Sequence, residues 1–272
     1  MEAKFSMDAT LTIALAQVKG SEDPRRNLET ADRYAQTAAG CGARLIAFPE
    51  MFMGLPGTER PPIQYVQDQS VDFLGGLAVI AQRYRIAIAS GLWERSPDPN
   101  RAFNTAVVLN ADGELIARYR KIHLFDALSV RESDTMFPGD GLPPVVSIGG
   151  FSVGVAICYD LRFPEIFRHL AESGADLALV LSAWYQGPMK EDHWLTLLRA
   201  RAIENTFYVA GCNLIGPSFC GRSSVFDPFG TPVASAIETE DCLVATISKG
   251  RVHSVREKLP ALKNRRKDIF GR

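Results

Sequence analysis

Spacing patterns that hold a metal ion or a disulfide framework are absent from this chain. Its five cysteines (Cys41, Cys158, Cys212, Cys220 and Cys242) are odd in number and widely spaced, with no C-x-x-C pair. Its four histidines (His123, His169, His193 and His253) form no i, i+4 pair. There is no G-x-S-x-G elbow, no G-x-G-x-x-G turn, no Walker A loop and no H-E-x-x-H helix. These absences leave serine-hydrolase, dinucleotide, nucleotide and zinc-protease chemistry without their usual anchors. Long apolar runs are missing too: Leu177 to Leu181 has strand length, far short of a membrane span. The opening MEAKFSMDAT lacks the apolar core of a secretion signal, so residues 1–9 read as a short leader. An excess of either charge is also lacking. Thirty Lys and Arg against thirty-one Asp and Glu give a net charge of -1, and nothing global draws the chain to nucleic acid or anionic membrane. The expectation is a cytoplasmic protein with reduced cysteines, no metal and no cofactor.

What is present suits one large globular unit. The chain has 272 residues, 46% hydrophobic and 22% charged, enough for a sizeable core. Strand-like runs cover Leu11–Val18, Ala43–Phe48, Ile86–Trp93, Phe103–Leu109, Leu115–Tyr119, Val145–Ile148, Phe151–Ile157, Ala175–Leu181, Phe207–Cys212, Ser223–Phe226, Pro232–Ala236 and Cys242–Ile247. Helical spacing follows the Asp23-Pro24 cap to about Ala39. It returns over Ser70–Tyr84, after Cys158, and over Glu191–Glu204. Met51–Gln67 and Ile122–Pro144 read as long loops, and the basic tail from Arg251 shows little periodicity. Helices alternate with strands, yet hairpins are interleaved, which predicts a layered α/β domain with mixed sheets over residues 1–272.

Three polar groups recur just past an apolar strand: Glu50 after ARLIAFP, Lys121 after LIARYR, and Cys158 after FSVGVAI. Ligands of α/β sheets collect outside the carboxyl ends of strands. Taken singly, Glu50 reads equally as a surface carboxylate, Lys121 as a solvated lysine and Cys158 as a small buried hydrophobe. Together they make a coherent hydrolytic set. A thiol attacks an amide-type carbon while a carboxylate takes and returns the proton. An ammonium then stabilises the oxyanion, helped by the backbone N–H of Tyr159. The helix that follows Cys158 points a positive N-terminus at the thiol, which favours thiolate.

The pieces FPEMF, YRKIHLFD and GVAICYDLRFPEIFR carry a family resemblance. They are similar to the three blocks of the nitrilase, or carbon–nitrogen hydrolase, superfamily, and ESDTMFPGD, HWLTLLRARAIENTFYV, SSVFDPFGTPVA and VREKLPALKNRRKDIF extend the likeness over nearly the whole chain. The resemblance implies an αββα sandwich with a Glu–Lys–Cys triad. Glu50 is then the general base and acid, Lys121 the oxyanion stabiliser and Cys158 the acyl-forming nucleophile. Glu132, in Arg131-Glu132-Ser133-Asp134, matches the family's second glutamate. Phe52, Tyr159, Trp184 and Tyr185 are expected to wall the substrate pocket. Tyr159-Asp160 departs from the Trp-Glu pair of true nitrilases and resembles the omega-amidase and deaminated-glutathione amidase branches.

The implied activity is hydrolysis of a non-peptide carbon–nitrogen bond in a small carboxylate-bearing amide, through a cysteine thioester, with release of ammonia. An N-carbamoyl amide hydrolase of the same fold and a catalytically silent scaffold are the alternatives. The resemblance also implies a homodimer or higher homo-oligomer, with the tail 251–272 a candidate for the subunit interface.

Overall fold

The computed structural model describes residues 9–57, 59–68 and 70–270. The expected leader falls outside them apart from Ala9. Two six-stranded mixed sheets stack face to face with helices on both outer sides. The first sheet is built from β1 (Thr10–Gln17), β2 (Leu45–Ala47), β3 (Ala87–Arg95), β4 (Ala102–Leu109), β5 (Leu115–Arg120) and β12 (Asp241–Ser248), in the order β12-β1-β2-β3-β4-β5. The second holds β6 (Val145–Ile148), β7 (Phe151–Ile157), β8 (Leu177–Ser182), β9 (Tyr208–Asn213), β10 (Ser224–Phe226) and β11 (Pro232–Ser235), in the order β11-β10-β9-β8-β7-β6. In each sheet the central strands run parallel, and antiparallel partners close the edges.

Period-2 alternation sorts the side chains between layers. Leu11, Ile13 and Leu15 of β1 meet Phe151, Val153, Val155 and Ile157 of β7 and Leu177, Leu179 and Leu181 of β8 in the core between the sheets. The intervening Ala14 and Ala16 face the outer helices of the first sheet, and Ala156, Ala178 and Val180 those of the second. Small residues sit there because the helices pack close. A Cβ on Gly154 would lie 2.4 Å from Leu170 Cδ2 on the covering helix.

The helices of the first sheet are α1 (Pro24–Gly40), α2 (Pro62–Gln67) and α3 (Phe73–Tyr84). The Asp23 carboxylate caps α1 by accepting from the Arg25 N–H at 3.0 Å, and Ala31, Ala35 and Ala38 form its buried stripe. The second sheet carries α4 (Pro164–Glu172) and α5 (Lys190–Asn205); α6 (Lys249–Lys258) and α7 (Lys267–Phe270) follow the last strand.

Three sequence expectations change. Part of the Met51–Gln67 loop is helix α2, which opens on Pro62. The Ile122–Pro144 stretch contains a two-residue hairpin (Asp126–Ala127 with Val130–Arg131) and a 3-10 turn at Glu132–Asp134. The tail, read as lacking periodicity, forms α6, capped by Ser248, with only Val252 and Val255 buried. One apolar pair is too weak a pattern to announce a helix.

Candidate active site

Glu50, Lys121 and Cys158 each lie where a strand has just ended, and the sandwich brings all three together. Glu50 follows β2 in a turn whose next residue, Met51, takes a positive φ of 58°. Strand β3 holds this turn by backbone bonds, Gly91 N–H to Pro49 O at 3.1 Å and Met53 N–H to Gly91 O at 3.1 Å. Gly91 is required by that close approach: a Cβ there would sit 2.6 Å from Met51 N and 2.8 Å from Glu50 Cα.

Lys121 leaves β5 and stays tied to β4, its N–H donating to Asn104 O at 2.9 Å. Its ammonium is buried and donates to Glu50 Oε1 at 2.8 Å and to Glu132 Oε1 and Oε2 at 2.9 and 2.8 Å. Glu50 is further gripped by Asn104 Nδ2 on Oε1 and by the Ala183 N–H on Oε2, both at 2.8 Å. Glu132 Oε2 accepts from the Phe125 N–H at 2.7 Å. Burial alone would lower the Lys121 pKa. The charges of Glu132 and Glu50 outweigh it and hold the ammonium well above its ordinary value.

Cys158 starts a 3-10 turn, Cys158–Arg162, at a positive φ of 42°. That backbone conformation is uncommon for a residue with a side chain and marks a sharp strand-to-turn elbow. Asp160, wholly buried, braces the elbow from beneath. It accepts from the Ile157 N–H at 3.0 Å and the Tyr119 hydroxyl at 2.8 Å, and pairs with His123 Nδ1 at 2.8 Å. Arg201 holds the far side, with Nε and Nη2 donating to Leu161 O at 3.0 and 2.9 Å.

The thiol is not biased toward thiolate as the helix-dipole reading expects. The 3-10 turn separates Cys158 from α4, which begins only at Pro164. Burial pushes the thiol pKa well up and the Glu50 charge pushes it further; Lys121 opposes without winning. The Ser182 hydroxyl also lowers it slightly, although its oxygen is buried without a full hydrogen bond of its own.

Cys158 opens on a narrow pocket whose wall includes Tyr159, Trp184, Tyr185 and Glu132, together with Arg162 and Lys190. An outer recess of about 490 Å³ shares Phe125, Tyr185 and Lys190 with it. A separate recess of about 460 Å³, beside Tyr65, Phe73 and Trp93, contains none of the three strand-end groups. Phe52 does not reach the pocket wall. It is fully buried under the first sheet, stacked on Phe48 at 4.7 Å and edge-on to Phe73 at 6.1 Å. Two places from Glu50, past the reversal at Met51, its ring turns into the helix layer.

Sequence reasoning missed Asn104, Asp160, Arg201 and Lys190. A polar residue inside the apolar run AFNTAVVL was the one available hint, for Asn104. The others depend on contacts between distant elements. Among the described residues no group of three or more His, Cys, Asp or Glu is arranged to hold a metal ion. No described helix is long and apolar enough to cross a membrane.

Comparison with known proteins identifies the family and the fold. The family model for carbon-nitrogen hydrolase matches residues 12–257, which spans both sheets. A deaminated glutathione amidase of Escherichia coli O157:H7 is 34% identical over 257 residues, covering 94% of this chain and 97% of that protein. Its counterpart in Rattus norvegicus is 34% identical over 275 residues, covering 95% and 83%. Among solved structures, the NitFhit protein of C. elegans superposes with a TM-score of 0.89 at 30% identity, over 97% of this chain and 67% of that one. An amidase from Nesterenkonia sp. superposes at 0.82 and 30% identity, over 98% and 97%. The chain belongs to the carbon–nitrogen hydrolase family.

Proposed function

We propose that this protein is an amidase that hydrolyses a small carboxylate-bearing amide through a thioester on Cys158. The observation that carries the reading is the buried Lys121 ammonium held between Glu50 and Glu132, with Glu132 lining the same pocket as Cys158. Glu50 takes the Sγ proton as sulfur bonds to the amide carbon. The oxyanion that develops is stabilised by Lys121 and by the Tyr159 N–H, which the turn's own i→i+3 ladder does not use. Glu132 holds Lys121 charged and aimed. Glu50 then passes its proton to the leaving nitrogen and the carbon–nitrogen bond breaks. Water attacks the thioester, Glu50 takes a water proton, the carbon–sulfur bond breaks, and Sγ regains its proton.

Three relatives support the chemistry. Two matched proteins are named deaminated glutathione amidases. A variant of the Nesterenkonia amidase carries the acetamide moiety of fluoroacetamide covalently on its active-site cysteine. The substrate class here is a 2-oxo dicarboxylate monoamide or deaminated glutathione. A primary amide releases ammonia and a secondary amide releases an amine, so the acid product is the common readout.

The test is a panel of 2-oxoglutaramate, deaminated glutathione, an N-carbamoyl amino acid, a neutral amide and an aliphatic nitrile. Acid product is followed by chromatography, with Cys158→Ala as blank and acid-quenched protein weighed for a Cys158 acyl adduct. Turnover of the first two that vanishes in the blank supports the reading. Carbon dioxide release from the carbamoyl compound would move it to the carbamoylases. Turnover surviving in Cys158→Ala would overturn it.

The protein is further inferred to act in the cytoplasm as a homodimer. Ile203 on α5 and the nearby Phe229 expose apolar surface, 42% and 53%, on the outer face of the second sheet's helix layer. Sedimentation of wild type beside Ile203→Glu checks the pairing.

A further inference from the structure

Lys190 is a buried cation held by aromatic faces, with no carboxylate partner among the described residues. It is only 8% exposed, lines the same pocket as Cys158, and makes no ion pair with a carboxylate among the described residues. Its Nζ instead lies 4.9 Å from the ring centroids of Phe125 and Trp184. It is also the first residue of α5, where the helix dipole repels a positive charge and no side chain caps the terminus. The neighbouring Glu191 turns away to Arg222 at 3.1 Å.

Arg162 sits in the same wall and is equally unmatched. Its guanidinium lies 4.8 Å from the Trp184 ring and touches His193 Nδ1 at 3.4 Å, with no glutamate partner among the described residues. Two cations thus flank one indole beside a helix N-terminus, facing a pocket whose own acidic groups are spent on Lys121. Burial, and then the Arg162 charge, lower the Lys190 pKa, as follows for a cation waiting for its anion.

We propose that Lys190 and Arg162 form a carboxylate-binding subsite that selects amides whose acyl half carries an acid group. The proposal rests on the amidase reading for its substrate and on these contacts for its site. A carboxylate entering past Trp184 gains two charge-assisted hydrogen-bond donors and the α5 dipole, and relieves the repulsion between the two cations. A neutral amide of the same length gains neither. Hydrophobic contacts with Trp184 and Phe125 would serve both equally.

The experiment compares wild type, Lys190→Met and Lys190→Arg on 2-oxoglutaramate and on a neutral amide of equal chain length. Lys190→Met is expected to lose about 10- to 100-fold in kcat/KM on the acid, mostly through KM, and little on the neutral amide. Lys190→Arg is expected to recover most of the loss. Equal losses on both substrates, or none on the acid, would overturn the subsite. A parallel titration of 2-oxoglutarate into Cys158→Ala, with and without Lys190→Met, reads the subsite without turnover. Weaker binding in the double variant supports it even if the panel above is silent; equal binding overturns it.

Discussion

The Tyr119 hydroxyl donates to Asp160 Oδ2 at 2.8 Å, tying the strand that delivers Lys121 to the turn that presents Cys158. Both groups are buried; Tyr119 lies on β5 of the first sheet and Asp160 in the turn that follows β7 of the second. Burial, then the Asp160 charge, raise the Tyr119 phenol well above its ordinary pKa, so it stays a donor. The two halves of the sandwich therefore meet through a polar brace directly behind the candidate catalytic groups.

Asp160→Asn tests that brace. It removes a buried charge that the Ile157 N–H, the Tyr119 hydroxyl and His123 all address. We expect a stability loss of about 2–4 kcal/mol in urea unfolding and a fall in kcat. Tyr119→Phe should cost only about 1 kcal/mol. A double-mutant cycle should show coupling between them; strictly additive costs would remove the brace from the mechanism.

Glu50→Gln separates two roles of one carboxylate. As the proton acceptor its loss should lower kcat about 1,000-fold. As a negative charge it helps hold the Cys158 thiol up, after burial, so the variant's thiol should titrate at lower pH than the wild type's. Thiolate absorbance followed against pH reads this directly. An upward or absent shift contradicts the electrostatic assignment.

Gly91→Ala probes the Glu50 turn. The added Cβ would press on backbone at 2.6–2.8 Å, where no side chain can give way. A loss of about 1–3 kcal/mol is expected, with reduced kcat as Glu50 shifts from Lys121. Unchanged activity with lowered Tm would mean that the turn and the carboxylate move independently.

Alkaline pH should destabilise the fold. The Cys158 and Cys212 thiols are both raised by burial above their ordinary value of 9.0. Above that pH the unfolded chain has released protons that the folded one keeps, so stability falls as pH rises. Lys121, raised by Glu132 and Glu50 against burial, adds stability that is full below 10.5 and is lost as pH climbs through its folded value. Each group contributes a slope of about 1.4 kcal/mol per pH unit. Cys212→Ala should flatten the slope between pH 9 and 10.5 in urea titrations; an unchanged slope would show that this thiol is not linked.

Much was already legible in the amino-acid order. Alternation in TLTIALAQ, FSVGVAI and LALVLS reports the layers, because a strand buried on both faces still places its large side chains on one side. The residues just past ARLIAFP, LIARYR and FSVGVAI singled out Glu50, Lys121 and Cys158, because a chemically reactive group ending an apolar run interrupts a local pattern. The tertiary structure decided the rest. Met51's backbone reversal sends Phe52 into the core, and the elbow at Cys158 is a dihedral, which no residue type declares. Asp160 meets Tyr119, and Lys190 meets Phe125, across 41 and 65 positions of chain. Such contacts, and the burial that sets each pKa, exist only once the two sheets have packed.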